Sequence, residues 1–167
     1  MTDNLELATK EKILQFFLDI GIPVKKTELA RQTFLPGISI EHGTILIDES
    51  KLLHPGDLLH EAGHLAVISA QKRQQTQNNV GMKAAEEMMA IAWSYAALVH
   101  LGLEPSCVFH DGGYRGESES LIENFTKGRY FGVPMLQWLG LTADGKRAEA
   151  MGIKPYPSMI KWILDDG

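Results

Sequence analysis

The sequence reads LLHEAGHLAV over residues 58–67, placing two histidines and a glutamate inside an otherwise apolar run. His54-Pro55-Gly56-Asp57 precedes this run, and Asp57 suits the positive N-terminal end of a helix that we predict to continue to about Ala70. Residues four apart on a helix share a face, about 5–6 Å from each other, so His60 and His64 point the same way. Because unpaired polar groups are costly to bury, these side chains need a partner.

A metal ion would meet that need. Two imidazoles at this spacing can both reach one tetrahedral zinc at about 2.0–2.1 Å, and we therefore predict His60 and His64 as zinc ligands. Glu61, beside the first ligand, is placed to contact a water on the metal instead of the metal itself. Zinc lowers the pKa of such a water to about 7, which predicts Glu61 as the general base of a hydrolytic reaction.

A catalytic zinc needs a third protein ligand and one open position. A third histidine after the motif, as in the metzincin arrangement, is excluded because Val67 and Ala70 occupy the required Gly and His positions. The next predicted helix carries Glu86 and Glu87, which point about 100° apart, so one of them should face the metal. A small residue one turn after the ligand allows two helices to approach closely, and Ala90 lies at i+3 from Glu87 but also at i+4 from Glu86. Glu87 is preferred because residues 87–90 match the pattern E-x-x-A. Glu86 remains the alternative.

The combination of these motifs resembles a known family. H-E-x-x-H at residues 60–64, 22 intervening residues and then E-x-x-A at residues 87–90 is similar to the gluzincin-type zincin metallopeptidases. The order of hairpin, H-E-x-x-H helix and E-x-x-A helix over about residues 38–101 is similar to small single-domain zincins such as the ImmA/IrrE group. The resemblance implies hydrolysis of a peptide bond in a peptide or protein substrate. It also implies that the last strand before the helix, residues 45–48, is an edge that lines the substrate cleft.

Length and composition set the class of protein. The 167 residues carry a net charge of −5 with a pI near 5.7, which predicts one domain and no basic surface for nucleic acid or an anionic membrane. Cys107 is the single cysteine, so no intrachain disulfide can form. The N-terminus has no signal-peptide pattern, and the longest apolar run is too short to span a bilayer. We expect a soluble, cytoplasmic protein.

The periodicity of apolar residues predicts an α+β fold, mostly helical, with a small antiparallel sheet ahead of the central helix. We predict one zincin-like domain over residues 1–167. A hairpin is expected at residues 38–40 and 44–48, and residues 71–81 are expected to be a solvated loop. Residues 24–35 are ambiguous, and residues 144–145 are expected to be a turn. The expected helices are 5–20, 57–70, 82–101, 118–127, one beginning near 134 and a short last one ending near 163.

Residues 110–116 read HDGGYRG, a glycine-rich loop with several polar side chains. Loops of this kind often serve active sites, and zincins usually add a donor that stabilises the oxyanion on the attacked carbonyl. His110, Tyr114 and Arg115 are therefore candidate substrate or oxyanion contacts. Zinc-bound histidines also need acceptors for their second ring nitrogen, and Asp48 and Ser94 are the candidates for that role.

Two other functions compete with the peptidase. In the first, zinc only joins the two helices of a non-catalytic domain that binds a partner. In the second, the protein is a zinc hydrolase of a small amide. A fourth metal position closed by a protein ligand would favour the first, and a small sealed pocket the second. A fourth position opening into a groove would favour the peptidase.

Overall fold

The computed structural model describes residues 2–78, 83–112, 114 and 116–165. About half of the chain is helical and a small sheet lies between the first two helices, so the predicted α+β class is confirmed. The strands are β1 (Val24–Lys26), β2 (Ile38–Glu41) and β3 (Thr44–Ile47). The helices are α1 (Thr2–Ile20), α2 (Asp57–Ala66), α3 (Ala70–Gln74), α4 (Ala84–Leu101), α5 (Ser118–Thr126), α6 (Val133–Trp138) and α7 (Gly145–Met151), with one 3₁₀ turn at Pro105–Cys107.

The sheet is mixed, and the prediction of a purely antiparallel sheet is wrong. β2 and β3 form the expected antiparallel hairpin, but β1 pairs parallel with β3 on its other side, giving the order β1-β3-β2. The parallel pairing is set at its two ends, where Ile45 N–H donates to Pro23 O and Thr27 N–H donates to Ile47 O, each at 2.9 Å. A three-residue strand is too short to show a period in the sequence.

This added strand also changes the expected position of the sheet edge. β3 is hydrogen-bonded on both sides and therefore has no free edge, so the expectation that residues 45–48 lie along a cleft is wrong. β2 is one of the two outer strands of the sheet, so its outward side is a sheet edge. There Ile40 N–H donates to the side-chain oxygen of Asn78 at 2.7 Å, and Ile38 N–H donates to Leu35 O at 3.2 Å.

The H-E-x-x-H helix, α2, packs directly on α4 at the centre of the molecule. Its apolar residues are fully buried, and Trp93 on α4 is buried beside them. The two helices approach closely at Gly63, where an added Cβ would lie 2.9 Å from Ala90 O and 3.1 Å from Ala90 Cα. The pair Gly63 and Ala90 therefore sets the short distance between the helices that carry the candidate ligands.

Gly63→Ala is expected to decrease the free energy of unfolding by about 1–2 kcal/mol. Overpacking against backbone costs about 1–3 kcal/mol, and the better helix propensity of alanine returns up to about 1 kcal/mol. The control is Gly145→Ala in α7, where a Cβ meets nothing within 4 Å and stability should be unchanged or slightly higher. Urea unfolding of both metal-free variants measures the difference. Equal stability of the two variants would contradict a tight Gly63–Ala90 contact.

The helix predicted over residues 57–70 is two helices. α2 ends at Ala66, and α3 begins at Ala70 and continues to Gln74, so most of it lies in the stretch 71–81 that we predicted as a solvated loop. Ser69 starts α3 because its hydroxyl accepts a hydrogen bond from Lys72 N–H at 3.2 Å. Serine is a common N-cap residue, but the glutamines and basic residues that follow Ser69 give α3 no apolar periodicity by which it could be predicted.

The C-terminal third differs most from the prediction. The predicted turn at 144–145 is the start of α7, with Asp144 as N-cap accepting from Arg147 N–H at 3.0 Å. The last short helix predicted near residue 163 is absent from the described residues, which run there as turns with an isolated bridge between Thr142 and Met159. α5 and α6 lie where they were expected.

Residues 161–165 close the core instead. Trp162 accepts a hydrogen bond at its carbonyl from Trp93 Nε1 at 2.8 Å, and Leu164 N–H donates to Ala66 O at 2.8 Å. These contacts tie residues near the C-terminus to the end of α2 and to α4. Within the described part of the chain, no helix combines the length and the apolar character needed to cross a membrane.

Candidate metal site

Three side chains converge where α2 crosses the N-terminal end of α4. The carboxylate of Glu87 lies 3.3 Å from His60 Nε2 through one oxygen and 2.8 Å from His64 Nε2 through the other. The two Nε2 atoms are 3.2 Å apart. The i, i+4 spacing on α2 aligns the histidines, and the close approach at Gly63 brings the α4 glutamate to them.

This arrangement fits a bound divalent metal. The ligand atoms of His60, His64 and Glu87 all lie within 4.8 Å of one another. Four ligands placed tetrahedrally at zinc distances are about 3.3 Å apart. The separations of 3.2 and 3.3 Å match that value, and 2.8 Å is somewhat shorter. Two imidazole nitrogens and one carboxylate are also a donor set that zinc prefers.

The structure separates the two adjacent glutamates of α4. Glu87 points at the histidine pair, whereas Glu86 points toward Lys72 of α3. The carboxylate of Glu86 lies 2.5 Å from Lys72 Nζ on α3 and 4.0 Å from Lys83 Nζ. Only Glu87 is therefore available to the histidines, which is the arrangement preferred from the sequence.

The charges within the group stabilise one another. Burial would raise the pKa of Glu87, but its hydrogen bonds to His60 and His64 outweigh burial and hold the pKa well below its usual range. Burial likewise opposes the protonated form of His60, but the hydrogen bond and the charge of Glu87 raise the pKa of His60 overall. The ionised carboxylate is the state required of a metal ligand, whereas a metal binding to His60 would displace the proton that Glu87 favours on its ring.

Glu61 is not part of the ligand group, but it faces the same cleft. It is partly buried, and burial is the main cause that raises the pKa of its carboxyl above the usual value, while the nearby His60 and His64 act in the opposite direction. A carboxylate with a raised pKa is a better proton acceptor and donor near neutral pH. Glu61 thus has the environment of an acid–base group.

The group opens into a cleft of about 600 Å³. A second cavity of about 560 Å³ follows residues 29–35 and the outer edge of β2, and both cavities are lined by Phe34, Leu35 and Glu61. Sequence reasoning missed this wall because residues 29–35 have no regular secondary structure. Besides the candidate ligands and Glu61, the cleft is lined by Phe34, Leu35, Asp57, Met88, Ile91, Tyr114, Glu117, Leu121 and Phe131.

The candidates of the 110–116 loop take separate positions. Tyr114 lines the cleft, and its hydroxyl lies 3.0 Å from His60 Nδ1. His110 is not among the described residues that line the cleft; its Nε2 lies 2.5 Å from the carboxylate of Asp57. Arg115 lies outside the described residues.

Asp57 is a cleft residue that the sequence analysis considered only as a helix-end residue. It lies three residues before His60 on the same helical face, and that spacing indicated a position near the site.

The acceptors expected for the second nitrogens of the histidines lie elsewhere. Asp48 accepts hydrogen bonds from Leu29 N–H and from Ser50, and these bonds lower its pKa to about 2. Ser94 donates to Ile91 O within its own helix. His64 Nδ1 has no hydrogen-bond partner among the described residues, so Tyr114 on His60 is the contact of this kind that the structure provides.

Comparison of the chain with protein-family models, with curated proteins and with solved structures found no match. A function for this chain therefore has to come from its own residues. The strongest chemical feature among the described residues is the convergence of His60, His64 and Glu87 beside Glu61.

Proposed function

We propose that this protein is a zinc-dependent metallopeptidase with a zincin-like fold. The observation that carries the proposal is the contact of Glu87 on α4 with both histidines of the H-E-x-x-H helix. The order of hairpin, α2 and α4, and the match of residues 60–64 and 87–90 to gluzincin motifs, support the same class. His60, His64 and Glu87 are the proposed zinc ligands.

Glu61 is the proposed general base. When bound, zinc polarises the carbonyl group and lowers the pKa of water to about 7. Glu61 takes the proton from the attacking water and then transfers it to the amine that leaves. The raised pKa of Glu61 supports both transfers, because a group that must accept and then give up a proton works best with a pKa near the working pH.

The cleft supports a peptide substrate over the two alternatives. The group that could hold the metal contains three residues among the described ones, which leaves a fourth position for water or substrate, unlike a closed structural site. The cleft shares Phe34, Leu35 and Glu61 with the second cavity beside β2, and together the two cavities offer more room than a small amide needs. Apolar walls at Leu35, Met88 and Phe131 suit the side chains of a peptide.

The proposed setting of this hydrolase is cytoplasmic. Cys107 is the single cysteine, so the fold does not depend on an oxidising compartment. The net charge of −5 gives no support for a nucleic-acid partner.

Removal and return of the metal test the proposal directly. The zinc-loaded protein, incubated with a proteome-derived peptide mixture, should generate new peptide termini detectable by mass spectrometry. A strong chelator should abolish these cleavages because the proposed chemistry depends on the metal, and added zinc should restore them. A zinc-loaded, folded protein that produces no new termini would favour the non-catalytic alternative.

A further inference from the structure

The segment from Cys107 to Ser118 contacts the N-terminal half of α2 at three positions. At Gly56, an added Cβ would lie 1.9 Å from Cys107 O, so the two backbones touch. The next contact joins the Asp57 carboxylate to His110 Nε2 at 2.5 Å. The third joins His60 Nδ1 to the hydroxyl of Tyr114 at 3.0 Å. Positions 57 and 60 are one turn apart on the same helical face, so the segment follows α2 toward the candidate metal ligand.

The same segment is fixed to the core on its other side. Phe109 is buried and packs edge-on against the ring of Tyr114, with centroids 5.4 Å apart, and stacks against Phe125 of α5 at 6.1 Å. Asp111 accepts a hydrogen bond from the hydroxyl of Ser118, the first residue of α5, at 2.7 Å. The ring of Tyr114 therefore has a buried packing partner, Phe109, that is independent of His60.

The Tyr114 hydroxyl oxygen is placed to accept a hydrogen bond from the Nδ1–H of His60, 3.0 Å away. When the Nε2 lone pair of His60 binds a metal, the ring proton must reside on Nδ1, from which it can be donated to the phenol oxygen. The ring of Tyr114 also packs edge-on against His60, with centroids 5.6 Å apart.

We infer that Tyr114 is a positioning residue of the metal site: it holds the ring of His60 with Nε2 directed at the metal, and the His110–Asp57 contact keeps Tyr114 in register with α2. This inference rests on the proposed zinc site. It assigns Tyr114 a role toward a metal ligand, whereas the sequence suggested a role toward the substrate.

Zinc affinity of the purified protein tests the inference. Tyr114→Phe keeps the packing but removes the hydroxyl, and we expect zinc, measured by competition with a chromophoric chelator, to bind about 10- to 100-fold more weakly. Tyr130→Phe is the matched control: it removes the hydroxyl of a partly exposed tyrosine that packs against Tyr156, and should leave zinc affinity unchanged. Equal affinity of Tyr114→Phe and the unaltered protein would overturn the inference.

A second measurement separates positioning from general loosening of the fold. In the zinc-loaded protein, the Nδ1 proton of His60 should be visible by NMR and slow to exchange with water, and Tyr114→Phe should make it exchange rapidly. An unchanged exchange rate would overturn the assignment. If the unaltered protein itself binds no zinc, the proposed function fails, which is distinct from failure of Tyr114 alone.

His110 is tested through its coupling to Tyr114. His110→Ala should weaken zinc binding because the segment loses its contact with Asp57, and the same change should have little further effect in the Tyr114→Phe background. Fully additive losses in the double variant would show that His110 does not act through Tyr114, and would overturn that part of the inference.

Discussion

Glu61→Gln is expected to lower the rate of peptide hydrolysis by a factor of about 10² or more while zinc stays bound. The amide has the shape of the carboxylate but cannot accept a proton, so the attacking water is not activated. Glu61 faces the cleft and stands outside the ligand group of His60, His64 and Glu87, and its loss should therefore leave zinc affinity nearly unchanged.

Two measurements on one preparation check this result. Cleavage of the peptide mixture gives the activity, and metal analysis after dialysis gives the zinc content per chain. Glu117→Gln is the matched control, because this exposed glutamate lines the same cleft but does not belong to the group of candidate ligands. Loss of zinc from Glu61→Gln would mean that Glu61 holds the metal, and full activity would remove it from the mechanism.

Glu87→Ala is expected to abolish tight zinc binding, whereas Glu86→Ala should change it little. Loss of an outer-shell partner costs about 10- to 100-fold in affinity, and loss of one of three direct ligands should cost more than that. Glu87 contacts both His60 and His64, while Glu86 contacts Lys72 of α3. Loss of the partly exposed ion pair between Glu86 and Lys72 should cost about 0–1 kcal/mol of stability, and it removes no candidate metal ligand.

The adjacent positions make this a matched comparison, since both changes remove a glutamate from the first turn of α4. Zinc affinity by chelator competition and helix content by circular dichroism should be measured for both variants. His64→Ala serves as the positive control, with a loss of zinc as large as that of Glu87→Ala. Equal losses in both glutamate variants would indicate an effect through helix stability, and loss only in Glu86→Ala would identify the other glutamate as the ligand.

Local patterns in the sequence correctly predicted the elements in which an apolar pattern repeats over many residues, and also the hairpin with its distinctive turn. α1, α4 and α5 have extended apolar faces or clear ends, and the β2–β3 hairpin turns at His42-Gly43 between alternating apolar residues. The short elements were missed. β1 has three residues, α3 is polar, and α7 begins at a glycine, so none of them carries a periodic signal.

The sequence by itself determined that His60 and His64 share a face, because a helix fixes the geometry of residues four apart. It also placed Glu61 beside them and limited the third member to Glu86 or Glu87. The choice between the two glutamates depends on how α4 is rotated against α2, which the close contact at Gly63 sets and which no local pattern records.

Contacts between distant segments were decided only by the tertiary structure. β1 pairs with β3 across about twenty residues and removes the edge that the hairpin alone would have left free. Tyr114 reaches His60 across 54 residues, and His110 reaches Asp57 across 53. Such contacts arise from the packing of whole elements around one core. Local spacing therefore identifies the groups that could bind a metal, and long-range packing determines which other side chains support them.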